Sequence, residues 1–172
     1  MKEIIKESKI FKKYIFIRLV GLGTFILNVI IQRVYRVDSD FRHMKNWRSR
    51  VINGQYIKLG LNPFSILKSF AISGGCYFNA GQGIEIGDGT IWASNVSIVS
   101  MNHNNQDLSI PAIDKGPIII GKNCWIGTGV VILSGVSLGD HTIVGANAVV
   151  SKSFVEGNVI IGGVPAKVLR KL

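Results

Sequence analysis

The chain has few residues that could form cross-links, bind metals or act as general bases. Its 172 residues include two cysteines, three histidines and four prolines. Cys76 and Cys124 lie far apart and form neither a paired-thiol motif nor a zinc-binding spacing. We therefore expect Cys124 to be a buried free thiol, in a reducing compartment. No Walker A or H-E-x-x-H motif is present, so the enzymes that these motifs indicate are not expected.

Acidic residues are also scarce, with 10 Asp and Glu against 20 Lys and Arg. Residues 1–50 contain 12 basic and 4 acidic residues, whereas residues 51–172 contain 8 and 6. We predict a basic, apolar helical arm over residues 1–53 and a nearly neutral domain over residues 54–172. The basic residues flank an apolar segment and do not form a polar stripe with stacking aromatics, so no nucleic-acid partner is expected.

Only one long apolar run occurs, Tyr14–Ile31, and Arg18 and Asn28 interrupt it. Basic residues flank both ends, and no signal-peptide cleavage site follows. Three interpretations stay open: a helix packed on the domain or on a neighbouring subunit, an interfacial helix on an anionic membrane, or a membrane span. In the interfacial interpretation four cations would reach lipid head groups: Lys12, Lys13, Arg33 and Arg36.

The second half of the chain repeats with a period of six. Aliphatic residues occupy one column of this repeat: Ile120, Ile126, Ile132, Leu138, Val144 and Val150. This period fits neither an α-helix nor an isolated strand and is typical of a solenoid with one short strand per hexapeptide. Three positions later comes a column that tolerates left-handed backbone: Asn123, Gly129, Gly135, His141, Asn147 and Ser153.

The same register continues upstream of the second half. One six-spaced series is Ala80, Ile86, Trp92 and Ile98. A second series, two positions earlier, is Ile66, Ile72, Phe78 and Ile84. The repeat therefore predicts an all-β fold whose aliphatic columns stack inward from coil to coil.

The period stops between Ile98 and Ile118, where residues 99–117 form a polar, irregular excursion. Function concentrates in such surface loops. His103 lies in this loop, whereas the turn column explains His141 and the basic arm contains His43. A neutral imidazole is suited to taking a proton from a hydroxyl at neutral pH, so His103 is the candidate general base.

Three sequence elements carry a family likeness: N-C-W-I-G, I-V-G-A-N-A-V-V-S-K and G-V-P-A-K. They resemble the hexapeptide-repeat acetyltransferases, especially the galactoside, maltose, capsule and lipopolysaccharide O-acetyltransferases. The likeness covers Ile84–Leu172 and leaves the arm out. It implies a left-handed parallel β-helix, a homotrimer with active sites between subunits, acetyl-CoA as co-substrate and no metal. It also implies that His103, 17 residues after Ile86, is the general base.

The resemblance implies further site residues. Trp125 would lie beside the acceptor and pantetheine. The cofactor would be bound by six residues: Thr128, Ala146, Ser151, Lys152, Lys167 and Arg170. Asn79 and Asp107 are candidates for acceptor binding, and Asp107 also for orienting His103. Asn104 stands where proline is common in the galactoside and maltose enzymes, which favours the capsule-type relatives.

These observations predict an acetyl-CoA-dependent O-acetyltransferase that modifies a sugar hydroxyl of a cell-surface polysaccharide or its precursor. Its expected location is the cytoplasm, or the inner face of the membrane if residues 1–50 bind lipid. The alternatives are an N-acetyltransferase of an amino-sugar nucleotide and a serine acetyltransferase. A metal protein of the γ-carbonic-anhydrase type would need three convergent histidines, and the repeats contain too few.

Overall fold

A computed structural model describes residues 9–104, 106–112 and 115–172. Short strands dominate it. In chain order they are β1 Arg50–Ile52, β2 Ile57–Leu59, β3 Tyr77–Asn79, β4 Ile84–Ile86, β5 Ile91–Trp92, β6 Ser97–Val99, β7 Asn102–His103, β8 Pro111–Ala112, β9 Ile118–Ile120, β10 Trp125–Ile126, β11 Val131–Leu133, β12 Ser137–Leu138, β13 Ile143–Val144, β14 Val149–Val150, β15 Val159–Gly162 and β16 Lys167–Lys171.

Successive strands pass through three sheets in turn, which makes the domain a three-sided parallel β-helix. Sheet A contains β1, β3, β6, β11 and β14, and sheet B contains β2, β4, β9 and β12. Sheet C contains β5, β10, β13, β15 and β16. Neighbours within a sheet come from successive coils and pair in parallel, except that β16 folds back antiparallel on β15.

The predicted inward column forms the core. All six aliphatic residues from Ile120 to Val150 are at most 2% exposed. The upstream series is buried as well, and Trp92 keeps the register by pairing with Ile126. Its indole packs against the rings of Phe70 and Phe78, with centroids 4.6 and 5.5 Å away. Stacking of identical positions therefore produces one continuous apolar core.

The predicted turn column adopts left-handed backbone at five of its six positions. The φ angles are 53° at Asn123, 68° at Gly129, 74° at Gly135, 57° at His141 and 58° at Asn147. Ser153 is the exception, and its hydroxyl instead accepts a hydrogen bond from the Ser137 N–H at 2.9 Å. The backbone conformation of the turn thus accounts for His141, as the sequence indicates.

The repeat register does not extend to Ile66 and Ile72, and that part of the prediction is wrong. Both residues lie in a helix, Phe64–Ile72, that stands beside β5 where a sheet C strand of the first coil would lie. Residues six apart point to different sides of an α-helix, so Ile66 is fully buried whereas Ile72 is 42% exposed. Two apolar residues at this spacing are too few to distinguish a coil from a helix.

The described part of the arm begins with three helical segments, α1 Lys9–Val20, α2 Leu22–Val29 and a π-helix Ile30–Val34. The helix Phe64–Ile72, α3, contacts both α1 and α2. Residues 35–49 contain no helix or strand, and β1 then pairs with β3 in sheet A. A single-turn 3-10 helix, Gly54–Tyr56, follows β1. The boundary expected at residues 53 and 54 therefore falls inside the first coil.

Within the described residues no single helix is long and apolar enough to cross a membrane. Tyr14–Val20 and Leu22–Val34 meet the length and composition criteria only as a pair, and the two are bent by 100°.

Candidate functional site

The irregular excursion is built around a β-hairpin. β7 pairs antiparallel with β8, so that His103 lies opposite Pro111. Inside the hairpin the Asn104 N–H donates to the Ile110 carbonyl at 3.0 Å, and the Asn104 side-chain oxygen accepts from the Gln106 N–H at 2.8 Å. The segment leaves sheet A after β6 and rejoins sheet B at β9. The hairpin therefore emerges at the corner between these two sheets.

The imidazole of His103 is exposed and held by one backbone group. Its Nδ1 lies 2.9 Å from the carbonyl oxygen of Leu108. A carbonyl oxygen can only accept a hydrogen bond, so Nδ1 carries the proton of the neutral ring. The lone pair of the neutral ring is then on Nε2, which is the form that a general base requires.

Asp107 does not orient His103, contrary to one of its predicted roles. Its Oδ1 accepts hydrogen bonds from the Ser109 hydroxyl at 2.7 Å and from the Ser109 N–H at 2.9 Å. These two bonds hold the pKa of the Asp107 carboxyl below its ordinary value. The carboxylate thus stabilises the turn of the hairpin, while the Leu108 carbonyl orients the imidazole. Its role in acceptor binding stays a prediction.

Asn79 lies at the end of β3, beside the base of the excursion. Its Oδ1 accepts from the Gly81 N–H at 3.2 Å, and its carbonyl accepts from the Ser100 N–H and hydroxyl at 2.9 and 3.0 Å. Asn79 therefore helps form the corner from which the hairpin emerges, and its predicted contact with substrate stays untested.

A groove of about 320 Å³ crosses sheet C between β10 and β13. It is lined by Ala93, Trp125, Gly127, Thr128, Ile143, Val144, Gly145 and Ala146. Three predicted site residues, Trp125, Thr128 and Ala146, therefore share one groove. Trp125 is 53% exposed, and the Thr128 hydroxyl donates to the Ser94 carbonyl at 2.8 Å.

The glycines of this groove allow the coils to approach each other closely. A Cβ at Gly127 would lie 2.7 Å from the Ala146 backbone nitrogen. Gly127 and Gly145 stand in the glycine-rich column directly after the aliphatic one, which is the sequence signal that could have assigned them to the groove. Ala93 has no comparable signal.

The remaining predicted cofactor residues lie towards the C-terminal end. Lys152 lines a second hollow of about 330 Å³, where its Nζ lies 5.6 Å from the centroid of the Phe154 ring. Ser151 precedes it and is exposed. Lys167 and Arg170 are exposed on β16, at the edge of sheet C. Sheet C thus runs from the groove at β10 to a basic edge strand three strands away, roughly 14 Å at ordinary strand spacing.

One chain does not bring His103 and the groove together. The hairpin emerges at the corner between sheets A and B, whereas the groove lies on sheet C, the opposite side of the coil. His103 lines neither the groove nor the C-terminal hollow. Within the described residues of one chain, the imidazole and the groove are therefore separate features.

Other reactive groups do not add to the site. Both Cys76 and Cys124 are buried free thiols, and burial raises the pKa of each above its ordinary value. Across residues 9–104, 106–112 and 115–172, no three His, Cys, Asp or Glu side chains are grouped to hold a metal ion.

Known proteins share both the repeat and the fold. Residues 117–152 match the family model described as bacterial transferase hexapeptide (six repeats). A putative lipopolysaccharide biosynthesis O-acetyl transferase, WbbJ of Escherichia coli K12, is 35% identical over 101 residues, or 52% of this chain and 51% of the relative. The galactoside O-acetyltransferase of the same organism is 36% identical over 91 residues, or 52% of this chain and 44% of the relative.

The chain thus spans about half the length of the curated relatives it matches. Among solved structures, a maltose O-acetyltransferase from Clostridium difficile 630 superimposes with a TM-score of 0.62 at 26% identity, covering 99% of this chain and 89% of that one. Such neighbours imply the left-handed winding expected for these repeats. Residues 117–152 therefore match the bacterial transferase hexapeptide model, and the chain resembles the hexapeptide-repeat O-acetyltransferases in sequence and fold.

Proposed function

We propose that this protein is an O-acetyltransferase that moves an acetyl group from acetyl-CoA to a sugar hydroxyl of a cell-surface polysaccharide or its precursor. The names of the lipopolysaccharide and galactoside relatives support the reaction and the class of acceptor. The single observation that carries the proposal is the exposed imidazole whose Nδ1–H is fixed by the Leu108 carbonyl. The proposed location is the cytoplasm, because both cysteines are free.

In the proposed reaction Nε2 of His103 takes the proton of the acceptor hydroxyl. The hydroxyl oxygen attacks the thioester carbonyl carbon, the carbon–sulfur bond breaks, and the imidazolium returns the proton to the departing thiolate. The Leu108 carbonyl accepts the Nδ1–H bond throughout and stabilises the imidazolium that forms. General base catalysis of this kind contributes roughly 10²–10⁴-fold to the rate.

Sheet C provides the proposed acetyl-CoA site. The groove beside Trp125, Thr128 and Ala146 suits the narrow pantetheine arm because small residues and glycine line it. Ser151, Lys152, Lys167 and Arg170 are exposed farther towards the C-terminal end, where their hydroxyl and cationic groups suit phosphates.

We propose a homotrimer in which each active site lies between two subunits. The hairpin of one copy would lie against sheet C of the next, because one chain places these features on opposite sides. Cyclic symmetry repeats this contact and closes the assembly. Each trimer would thus contain three sites.

The experiment is a thiol-release assay with acetyl-CoA and a panel of galactosides, maltose, polysaccharide fragments, an amino-sugar nucleotide and serine. We expect His103→Ala to lower kcat by roughly 10²–10⁴-fold. His141→Asn is the matched control, because asparagine also tolerates the left-handed turn. Product mass spectrometry identifies the acceptor. Undiminished turnover in His103→Ala would refute the mechanism, and acetylation of the amine acceptors alone would assign the protein to the N-acetyltransferases.

A mixing experiment tests the shared site. Trp125→Ala removes the aromatic wall of the groove, and His103→Ala removes the base. If each site takes its base and its groove from different subunits, random trimers of the two variants regain about a quarter of wild-type sites. The assay is run at acetyl-CoA concentrations below KM, where Trp125→Ala alone has only about a tenth of wild-type activity. If both groups act within one chain, the mixture shows only the mean activity of its two components.

A further inference from the structure

The helical segment Leu22–Val34 buries polar side chains and exposes apolar ones, the reverse of the usual arrangement in a water-exposed helix. Asn28 and Gln32, four residues apart, are 0% and 2% exposed. Asn28 donates to the Ala71 carbonyl at 3.0 Å and accepts from the Trp47 N–H at 2.8 Å. Gln32 donates to two carbonyls in residues 41–43 and accepts from the Lys45 N–H at 3.2 Å. The polar side of this helix therefore faces the protein.

The opposite side of the helix carries an apolar stripe with a spacing of four residues. Its members are 64%, 47%, 37% and 69% exposed, in the order Leu22, Ile26, Ile30 and Val34. The stripe is roughly 18 Å long at the rise of an α-helix. Along the chain, Tyr14 precedes the stripe and Tyr35 follows it, and they are 60% and 70% exposed. A contiguous row of large, exposed apolar side chains usually marks a surface that binds another protein or a membrane.

Exposed cations flank the stripe along the chain. Arg18, Arg33 and Arg36 are exposed, and none of them forms an ion pair with a described residue. The two carboxylates of residues 14–50 have partners of their own. Asp38 binds two cations, and Asp40 accepts the Gly54 N–H at 2.7 Å. Residues 14–50 therefore carry a net positive charge.

We propose that the apolar stripe docks on an anionic lipid surface. Its side chains would enter the acyl boundary, the arginines would contact head-group phosphates, and the tyrosines would lie at the interface. A second copy of the stripe is disfavoured because it would bring unpaired arginines together. The rest of the protein is not complementary to the stripe, since residues 51–172 contain 8 basic and 6 acidic residues.

The test is co-sedimentation of the full chain with vesicles of phosphatidylcholine, with and without phosphatidylglycerol. We expect binding only to the anionic vesicles, and its loss in 1 M salt, where the Debye length is about 3 Å. Leu22→Asn with Val34→Asn should lower the partition coefficient at least roughly tenfold. Leu61→Asn, at a position 95% exposed, is the matched control and should leave binding unchanged.

Charge is tested separately. Arg18→Gln with Arg36→Gln should lower partitioning by roughly 25-fold, about fivefold for each cation near the surface. The control removes two exposed cations of the coil, through Lys122→Gln and Lys171→Gln, and should have little effect.

Unchanged binding in the Leu22 and Val34 double variant, or equal binding to neutral vesicles, overturns the proposal. Failure of the wild-type protein to bind either kind of vesicle also overturns the proposal. If, in addition, the oligomer of the double variant dissociates in sedimentation velocity, the stripe is a subunit interface. Thermal unfolding shows that each variant is folded. None of these residues belongs to the candidate site, so turnover of a soluble acceptor should be unaffected and reports separately on the proposed reaction.

Discussion

Asp38→Asn should destabilise the protein far more than an ordinary surface substitution. The Asp38 side chain is 4% exposed, and it receives Lys45 Nζ at 3.3 Å, Arg50 Nε at 3.0 Å and the Val51 N–H at 2.9 Å. The Lys45 side chain is fully buried, and its other partner is the neutral carbonyl of Ser49 at 2.8 Å. Asn fits the left-handed backbone of residue 38, where φ is 54°, so the substitution removes charge without backbone strain.

The magnitude follows from the ammonium that is left behind. Removing one partner of a buried ion pair costs roughly 3–5 kcal/mol, because the other charge stays buried and uncompensated. For a chain of 172 residues each kcal/mol lowers Tm by about 2–4 °C, which gives a shift of roughly 6–20 °C. Lys45→Met should cost much less, because Asp38 keeps Arg50, which is 61% exposed, and the Val51 N–H. The double variant should resemble Lys45→Met.

Dependence on pH gives a second readout. Burial lowers the pKa of Lys45, and the Asp38 carboxylate opposes part of that shift. The unfolded chain therefore binds this proton more tightly than the folded chain, so stability rises with pH between the folded pKa and the ordinary value near 10.5. Asp38→Asn removes the opposing carboxylate, so its stability deficit should narrow as pH rises towards 10. Lys45→Met should lack this dependence.

Urea unfolding followed by circular dichroism measures all four proteins. A loss below about 1 kcal/mol in Asp38→Asn, or an equal loss in Lys45→Met, would refute the reasoning.

Three further outcomes are expected. Gly129→Ala should lower the free energy of unfolding by about 2 kcal/mol or more, because φ is 68° and the new Cβ would overlap a side-chain amide of the next coil. Gly23→Ala is the control: this glycine lies on a helix with open space around it, so the substitution should be neutral or stabilising in the same urea titrations. Trp125→Ala should raise the KM for acetyl-CoA roughly tenfold with little change in Tm, since the ring is 53% exposed. Cys76 and Cys124 should react with Ellman's reagent at pH 8 only on unfolding, because burial raises the pKa of both thiols; fast labelling of the native protein would contradict this.

The sequence predicted the coil well, because each coil repeats the same geometry and each column reports the same environment. The period of six predicts that Ile132 and Val150 are buried and that Asn123 and His141 have left-handed backbone, and both predictions are confirmed. The prediction failed at α3, where Ile66 fits the period by coincidence. There the decisive contacts are those of Phe70 with aromatic rings of later strands, which no local pattern encodes.

The site was less accessible to sequence reasoning. The period isolated His103, but the group that orients it is the Leu108 carbonyl, and a backbone oxygen has no sequence signature. A nearby carboxylate is the conventional partner, which is why Asp107 was the expectation. Asn28 was similarly misleading. It interrupts an apolar run in sequence, yet it is buried because its partners, the Ala71 carbonyl and the Trp47 N–H, lie far along the chain.

The regular coil also explains why chemistry should depend on its interruption. Within the repeats a histidine such as His141 is held by its own turn, with its N–H bonded to the Lys122 carbonyl of the neighbouring coil. Both imidazoles are exposed, but that of His103, where the chain leaves the coil, also has an orienting group, the Leu108 carbonyl. That departure occurs at the corner opposite sheet C, so the same feature that orients the imidazole separates it from the groove of its own chain. A variant that cannot form the trimer should therefore lose turnover although its coil, measured by circular dichroism, stays folded.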